Sequence, residues 1–128
     1  MDPPQRLSLS AGQTAAAKLR VKLATGYHTN SNTPSDEYLI PLRLTWESAP
    51  LAVTSIEYPK GQMEKYAFAE KPLSVYTGDF ELITHFQAPA NAPKGLRTVS
   101  GKLRYQACSK NACYPPKTLV VQLPVEVR

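Results

Sequence analysis

The chain has 128 residues, enough for one domain with a packed core. Apolar residues make up 42% of it, which excludes a disordered body, and no apolar run reaches the roughly 18–20 residues of a membrane-spanning helix. The net charge of +5 comes from dispersed basic residues without interleaved aromatics, so it argues for solubility and against a nucleic-acid partner.

The start, Met1 to Arg6, has no apolar leader segment, so an exported protein of this sequence is expected to be a trimmed or mature fragment. Residues 1–14 read as an N-terminal segment ahead of the main domain, 15–128, with a short strand pattern at Arg6–Ser10. In the next strand, Ala15–Ala24, a wet face of Lys18, Arg20 and Lys22 alternates with Ala17, Leu19, Val21 and Leu23. The polar stretch Gly26–Glu37 reads as a loop holding His28 and two solvated carboxylates, Asp36 and Glu37. Tyr38–Trp46 sets Ile40, Leu42, Leu44 and Trp46 in one phase, and Ala52–Tyr58 follows as another strand.

Pro59–Pro72 carries Met63, Tyr66 and Phe68 with no strand or helix period. Aromatics in such a connection either anchor it to its own domain or cover a site. Leu73–Tyr76 and Phe80–Gln87 are strands, the latter with Phe80, Leu82, Thr84 and Phe86 in phase opposite His85. After a Pro- and Ala-rich turn, Ala88–Gly95, come Leu96–Ala107 and Lys117–Val127. Pro41 and Pro124 fall inside strand runs, which predicts edge positions or late pairing. Twelve prolines argue against long helices, and no internal repeat is visible. The expectation is an all-β, two-sheet sandwich of seven to nine strands in a single domain.

The two cysteines, Cys108 and Cys113, lie between the last two strands with four residues between them. At facing strand ends their side chains come within reach of a disulfide. A loop this short is a weak staple, about 2 kcal/mol in the chain-entropy treatment. From the residues alone the pair is open to three readings: a structural bridge in an exported domain, a redox pair, or half of a metal site. The metal reading needs His28 and His85, which are far apart in sequence and lack finger spacing. Cys-His nucleophilic catalysis is a fourth, disfavoured because the second cysteine would trap the first.

The run Tyr105-Gln106-Ala107-Cys108, followed by Cys113-Tyr114-Pro115-Pro116-Lys117-Thr118, resembles the signature of the N-terminal periplasmic domain of DsbD. Gly26-Tyr27-His28-Thr29-Asn30-Ser31 and Tyr76-Thr77-Gly78-Asp79-Phe80 agree with it, over a span from about Leu19 to Val127. The resemblance implies an immunoglobulin-like sandwich and a periplasmic oxidoreductase. It would be a protein-disulfide reductase module of a larger protein, serving electron transport and cytochrome c biogenesis. It would take electrons from a membrane and thioredoxin-like relay and pass them to thioredoxin-fold partners through transient mixed disulfides. It implies Cys113 as the thiol that joins partners and Cys108 as the one that resolves the adduct. Tyr66 and Phe68 would be cap residues, Phe68 the preferred shield. Tyr105, Tyr114, Glu64 and Glu70 would form the environment of the pair, with Lys110 and Lys117 favouring thiolate. No metal or other cofactor is expected, and the module is expected to be a monomer. The spacing departs from the better-known members, which have five residues between the cysteines. The alternative is a non-catalytic immunoglobulin-like binding domain with a structural disulfide.

Overall fold

The computed structural model describes residues 4–35 and 39–128. Asp36 and Glu37, read as solvated carboxylates, and Tyr38, the expected start of a strand, lie outside the described residues. Among the described residues every regular element is a strand: β1 (Leu7–Leu9), β2 (Thr14–Lys22), β3 (His28–Asn30), β4 (Arg43–Glu47), β5 (Ala52–Glu57), β6 (Gln62–Glu64), β7 (Leu73–Thr77), β8 (Asp79–Gln87), β9 (Gly95–Tyr105), β10 (Ala107–Cys108) and β11 (Lys117–Val127). The sequence pattern predicted seven to nine. The additional strands β3, β6 and β10 have three, three and two residues, too few to show a period.

The strands form three hydrogen-bonded groups, in the orders β1-β11-β9-β4, β2-β8-β5 and β10-β3-β7-β6. The first two are the faces of the sandwich. Their inward side chains are the alternating apolar positions: Leu19 and Val21 on β2, Leu82 and Phe86 on β8, Val99 and Leu103 on β9, and Val121, Leu123, Val125 and Val127 on β11 are all buried. Lys18, Arg20 and Lys22 point the other way, the solvated face that alternation requires. β1 pairs in parallel with the end of β11 and buries Leu7 and Leu9, so residues within segment 1–14 are part of the packed core.

Of the two prolines inside strand runs, Pro41 meets the expectation of an edge or late pairing, and Pro124 does not stand at an edge, because β11 lies between β1 and β9. β4 is an edge strand that begins pairing at Arg43, after Pro41. Pro124 lies one residue before the stretch of β11 that β1 pairs. Trp46 bridges the two parts of the core, with its indole N–H donating to buried Thr84 at 3.0 Å and its ring edge-on to Phe86 at 5.3 Å. Its cross-strand partner on β9 is Gly101, where a Cβ atom would stand 2.8 Å from the indole ring. Glycine there lets the large ring lie flat on the neighbouring strand.

The third, smaller sheet carries the site. β7 anchors it: Val75 and Tyr76 are buried, and Tyr76 packs into the sandwich core. The Tyr76 hydroxyl is 2.8 Å from both Asn32 Oδ1 and the Pro59 carbonyl, which fixes the loops after β3 and β5 to the sheet. Gly78, at a φ of 67°, makes the tight turn from β7 into β8.

Candidate functional site

The two cysteines are joined in a disulfide, with Cα atoms 3.9 Å apart. The local sequence builds this closure. Residues 109–112 form a turn in which the Ser109 hydroxyl accepts from the amides of Asn111 and Ala112, and the Ser109 amide donates to the Ala112 carbonyl at 2.8 Å. The Tyr114 amide then donates to the Ala107 carbonyl at 2.9 Å, so Cys108 and Cys113 face each other as an antiparallel bridge. Gln106 holds the far side, its amide donating to the Tyr114 carbonyl at 3.2 Å. The Asn30 amide reaches both Gln106 Oε1 and the Ile40 carbonyl. Pro115 and Pro116 offer no N–H and lead the chain away until β11 begins at Lys117.

The two sulfurs sit in different surroundings. Cys108 has no exposed surface, whereas Cys113 is exposed. The difference follows from the topology. Cys108 ends β10, which is paired with β3, while Cys113 lies beyond the turn on the outer side of the hairpin.

His28 is the cross-strand partner of Cys108. The sequence reading put His28 in a loop; the structure corrects this, because the turn at Gly26 (φ 88°) feeds it directly into β3, where it is buried. Its Nε2 is buried with no hydrogen-bond partner. The Tyr66 ring stacks on the imidazole, with centroids 4.0 Å apart and planes within 11°. Phe68 lies nearly parallel to both, 5.6 Å from Tyr66 and 6.4 Å from His28. The turn that presents these rings is closed by the Ala69 amide on the Tyr66 carbonyl, and Lys65 donates to the carbonyls of Tyr66 and Ala69. Burial lowers the His28 pKa, partly offset by the carboxylate of Glu64, and burial together with Glu64 raises that of Tyr66.

Of the side chains expected around the pair, Glu64 lines a groove with Tyr27, His28, Tyr66 and Lys110. Glu70 lies in a second groove, with Leu39 and Phe68. Tyr114 is exposed next to Cys113 and packs on Tyr27 at 6.2 Å, and half-buried Tyr105 packs against the core. His28 was not among the expected site residues, although it stands within the Gly26–Ser31 run that carries the resemblance. The second histidine, His85, is on β8 and pairs with Glu57 at 2.6 Å. Among the described residues, no three or more His, Cys, Asp or Glu side chains gather in a way that could hold a metal ion.

Chemically, one exposed cysteine joined to one buried cysteine is an arrangement for thiol–disulfide exchange, since attack needs access to only one of the two. The comparisons with known proteins point the same way. The family model described as the thiol:disulfide interchange protein DsbD, N-terminal, matches residues 1–124. The reduced DsbD N-terminal domain of Neisseria meningitidis has a similar structure, at a TM-score of 0.60 and 20% identity, covering 91% of this chain and 82% of that one. So does the N-terminal periplasmic domain of ScsB from Proteus mirabilis, at 0.63 and 18%, covering 91% of this chain and 42% of that one. The shared fold is the immunoglobulin-like sandwich expected from the sequence. A comparison with curated protein sequences returns no significant match.

Proposed function

The chain belongs to the family of N-terminal domains of the thiol:disulfide interchange protein DsbD, and from that premise we propose that it is a protein-disulfide reductase module working in the periplasm. It takes reducing equivalents from a membrane or thioredoxin-like relay and passes them to thioredoxin-fold partners, cytochrome c biogenesis among the processes served. The observation that carries this reading is the asymmetric pair: an exposed Cys113 bonded to a Cys108 with no exposed surface.

The steps follow from exchange chemistry. In the reduced module the Cys113 thiolate attacks a partner disulfide, forms a mixed disulfide and expels one partner thiolate. Cys108 then attacks the Cys113 sulfur, re-forms the internal bridge and expels the second partner thiolate. The module is oxidised by two electrons and the partner disulfide is reduced to a dithiol. Tyr66 and Phe68 act as a cover on the Cys108 side of the pair, and Glu64, Lys110 and the two tyrosines, Tyr105 and Tyr114, tune the environment of the pair. The module acts as a monomer and needs no cofactor.

The deciding experiment is equilibration of the pair against glutathione and dithiothreitol buffers of known potential. An exchange pair sits above about −300 mV, and a structural bridge in an exported protein sits below it. A value below that limit would return the protein to the non-catalytic binding reading.

A further inference from the structure

The exchange cycle leaves one chemical requirement without an obvious source. Cys108 must lose its proton before it can attack Cys113, and it must do so in a place with no exposed surface. Burial in apolar surroundings favours the neutral thiol and would slow the step. A base beside Cys108 removes the difficulty.

His28 is the residue in that place. It is directly opposite Cys108 in the β3–β10 pair, so both side chains project from the same face of the small sheet. Directly opposed Cβ atoms lie about 4.5–5.5 Å apart, a span that an imidazole nitrogen and a thiol sulfur can close. Tyr66 covers a flat face of the imidazole, so it is not a hydrogen-bond partner for the nitrogens at the ring's edge. Nε2 is buried and makes no hydrogen bond. A buried ring nitrogen without a partner is costly, and stability alone gives no reason for one. Phenylalanine or leucine would fill the same space without that cost.

We infer that His28 is the base that takes the proton from the Cys108 thiol as Cys108 resolves the mixed disulfide on Cys113. This rests on the exchange reading above. The proton moves from Cys108 Sγ to the imidazole, and the Cys108 thiolate then bonds to the Cys113 sulfur. The bond from Cys113 to the partner sulfur breaks, and the departing thiolate or solvent takes the proton from the imidazolium. In the opposite direction the imidazolium protonates Cys108 as it leaves. The other charged and titratable groups about the ring are Glu64 at the end of β6, Tyr66 in the cap, Lys110 in the turn, and Tyr27 on its own segment. Burial keeps the imidazole neutral, and so able to accept a proton, to a lower pH than an exposed histidine.

The test uses the reduced protein and an aromatic disulfide, 5,5′-dithiobis(2-nitrobenzoate), in stopped flow. The first coloured thiolate reports attack by the exposed cysteine, and the second reports resolution by Cys108. His28→Phe and His28→Gln are expected to leave the first phase within twofold and slow the second at least tenfold at pH 7. In wild type the second phase is expected to fall as pH drops through a midpoint below 6.5, and that inflection is expected to vanish in both variants. A second phase of unchanged rate and unchanged pH profile in the variants would overturn the inference while leaving exchange intact. Should neither variant fold, by near-ultraviolet circular dichroism, the wild-type profile decides, and a second phase without that inflection overturns it. If wild type releases no second thiolate, the exchange reading itself fails and the inference falls with it.

Discussion

Cys108 and Cys113 share one disulfide, yet Cys108 has no exposed surface and Cys113 is open to solvent. Of the two residues, only Cys113 is therefore within reach of a partner approaching from solvent. Cys108→Ser is expected to accumulate a mixed disulfide with a thioredoxin-fold partner through Cys113, because the resolving thiol is gone. Cys113→Ser is expected to accumulate little. Non-reducing electrophoresis followed by mass spectrometry of the adduct reads both, and equal trapping by the two variants would refute the assignment of roles.

Reduction is expected to leave the sandwich folded. The bridge closes a loop of only four intervening residues, already held by the Tyr114–Ala107 and Ser109–Ala112 hydrogen bonds, and of the small sheet only Tyr76 belongs to the main core clusters. The loss should be about 2 kcal/mol or less, measured by urea unfolding with and without reductant. A collapse of near-ultraviolet dichroism on mild reduction would mark the bridge as a structural staple instead.

The long strands were legible in the sequence because each buries one face. The run Lys117–Val127 is β11 residue for residue, and Phe80–Gln87 differs from β8 only by Asp79. The site was legible in part. The cysteine pair stood out, but β3 did not, because His28, Thr29 and Asn30 are all buried and leave no alternation to read. β6 failed for the opposite reason: Gln62, Met63 and Glu64 are all exposed. The partnership of His28 with Cys108 depends on strand register, and the stacking of Tyr66 on His28 depends on a distant loop folding back, and neither is encoded within any one segment. The relation of Gly101 to Trp46 is hidden for the same reason.

That last relation gives a stability prediction. A Cβ at position 101 would sit 2.8 Å from the Trp46 ring, and Trp46 is held by its bond to Thr84 and its contact with Phe86. Gly101→Ala is therefore expected to cost roughly 1–3 kcal/mol by forcing the ring to move. Thermal unfolding followed by Trp46 fluorescence measures it, and a melting temperature equal to wild type would show that the ring shifts freely.

His28 also links stability to pH. Its pKa is lower in the fold than the ordinary 6.5, with burial the larger cause and Glu64 opposing it, so the unfolded chain binds its proton first as pH falls. Its contribution is fully present above 6.5 and is lost as pH falls through the folded value. Denaturation midpoints of wild type are expected to decline below pH 6.5, and those of His28→Phe to decline less over the same window. Parallel curves for the two proteins would show that His28 titrates alike in the folded and unfolded states.

The cap supplies the final prediction. Tyr66 lies directly on the imidazole of His28, the partner of Cys108, while Phe68 is further from that ring, at 6.4 Å, is 39% exposed, and borders a second groove. Phe68 is the preferred shield on sequence grounds, and the different distances of the two rings from His28 allow them to be separated. Stacked aromatic pairs contribute about 0.5–1.5 kcal/mol beyond their buried area. Cap opening that breaks the His28–Tyr66 stack should be harder than opening that moves Phe68 alone. Tyr66→Ala is expected to speed alkylation of Cys108 in the reduced protein by several-fold, and Phe68→Ala by less, with little change in folding for either. The measurement is the rate of iodoacetamide labelling at Cys108, resolved by peptide mass spectrometry at matched pH. Faster labelling in Phe68→Ala than in Tyr66→Ala would make Phe68 the principal shield. Unchanged rates in both would remove the cover from the mechanism and leave access to the pair set by the hairpin alone.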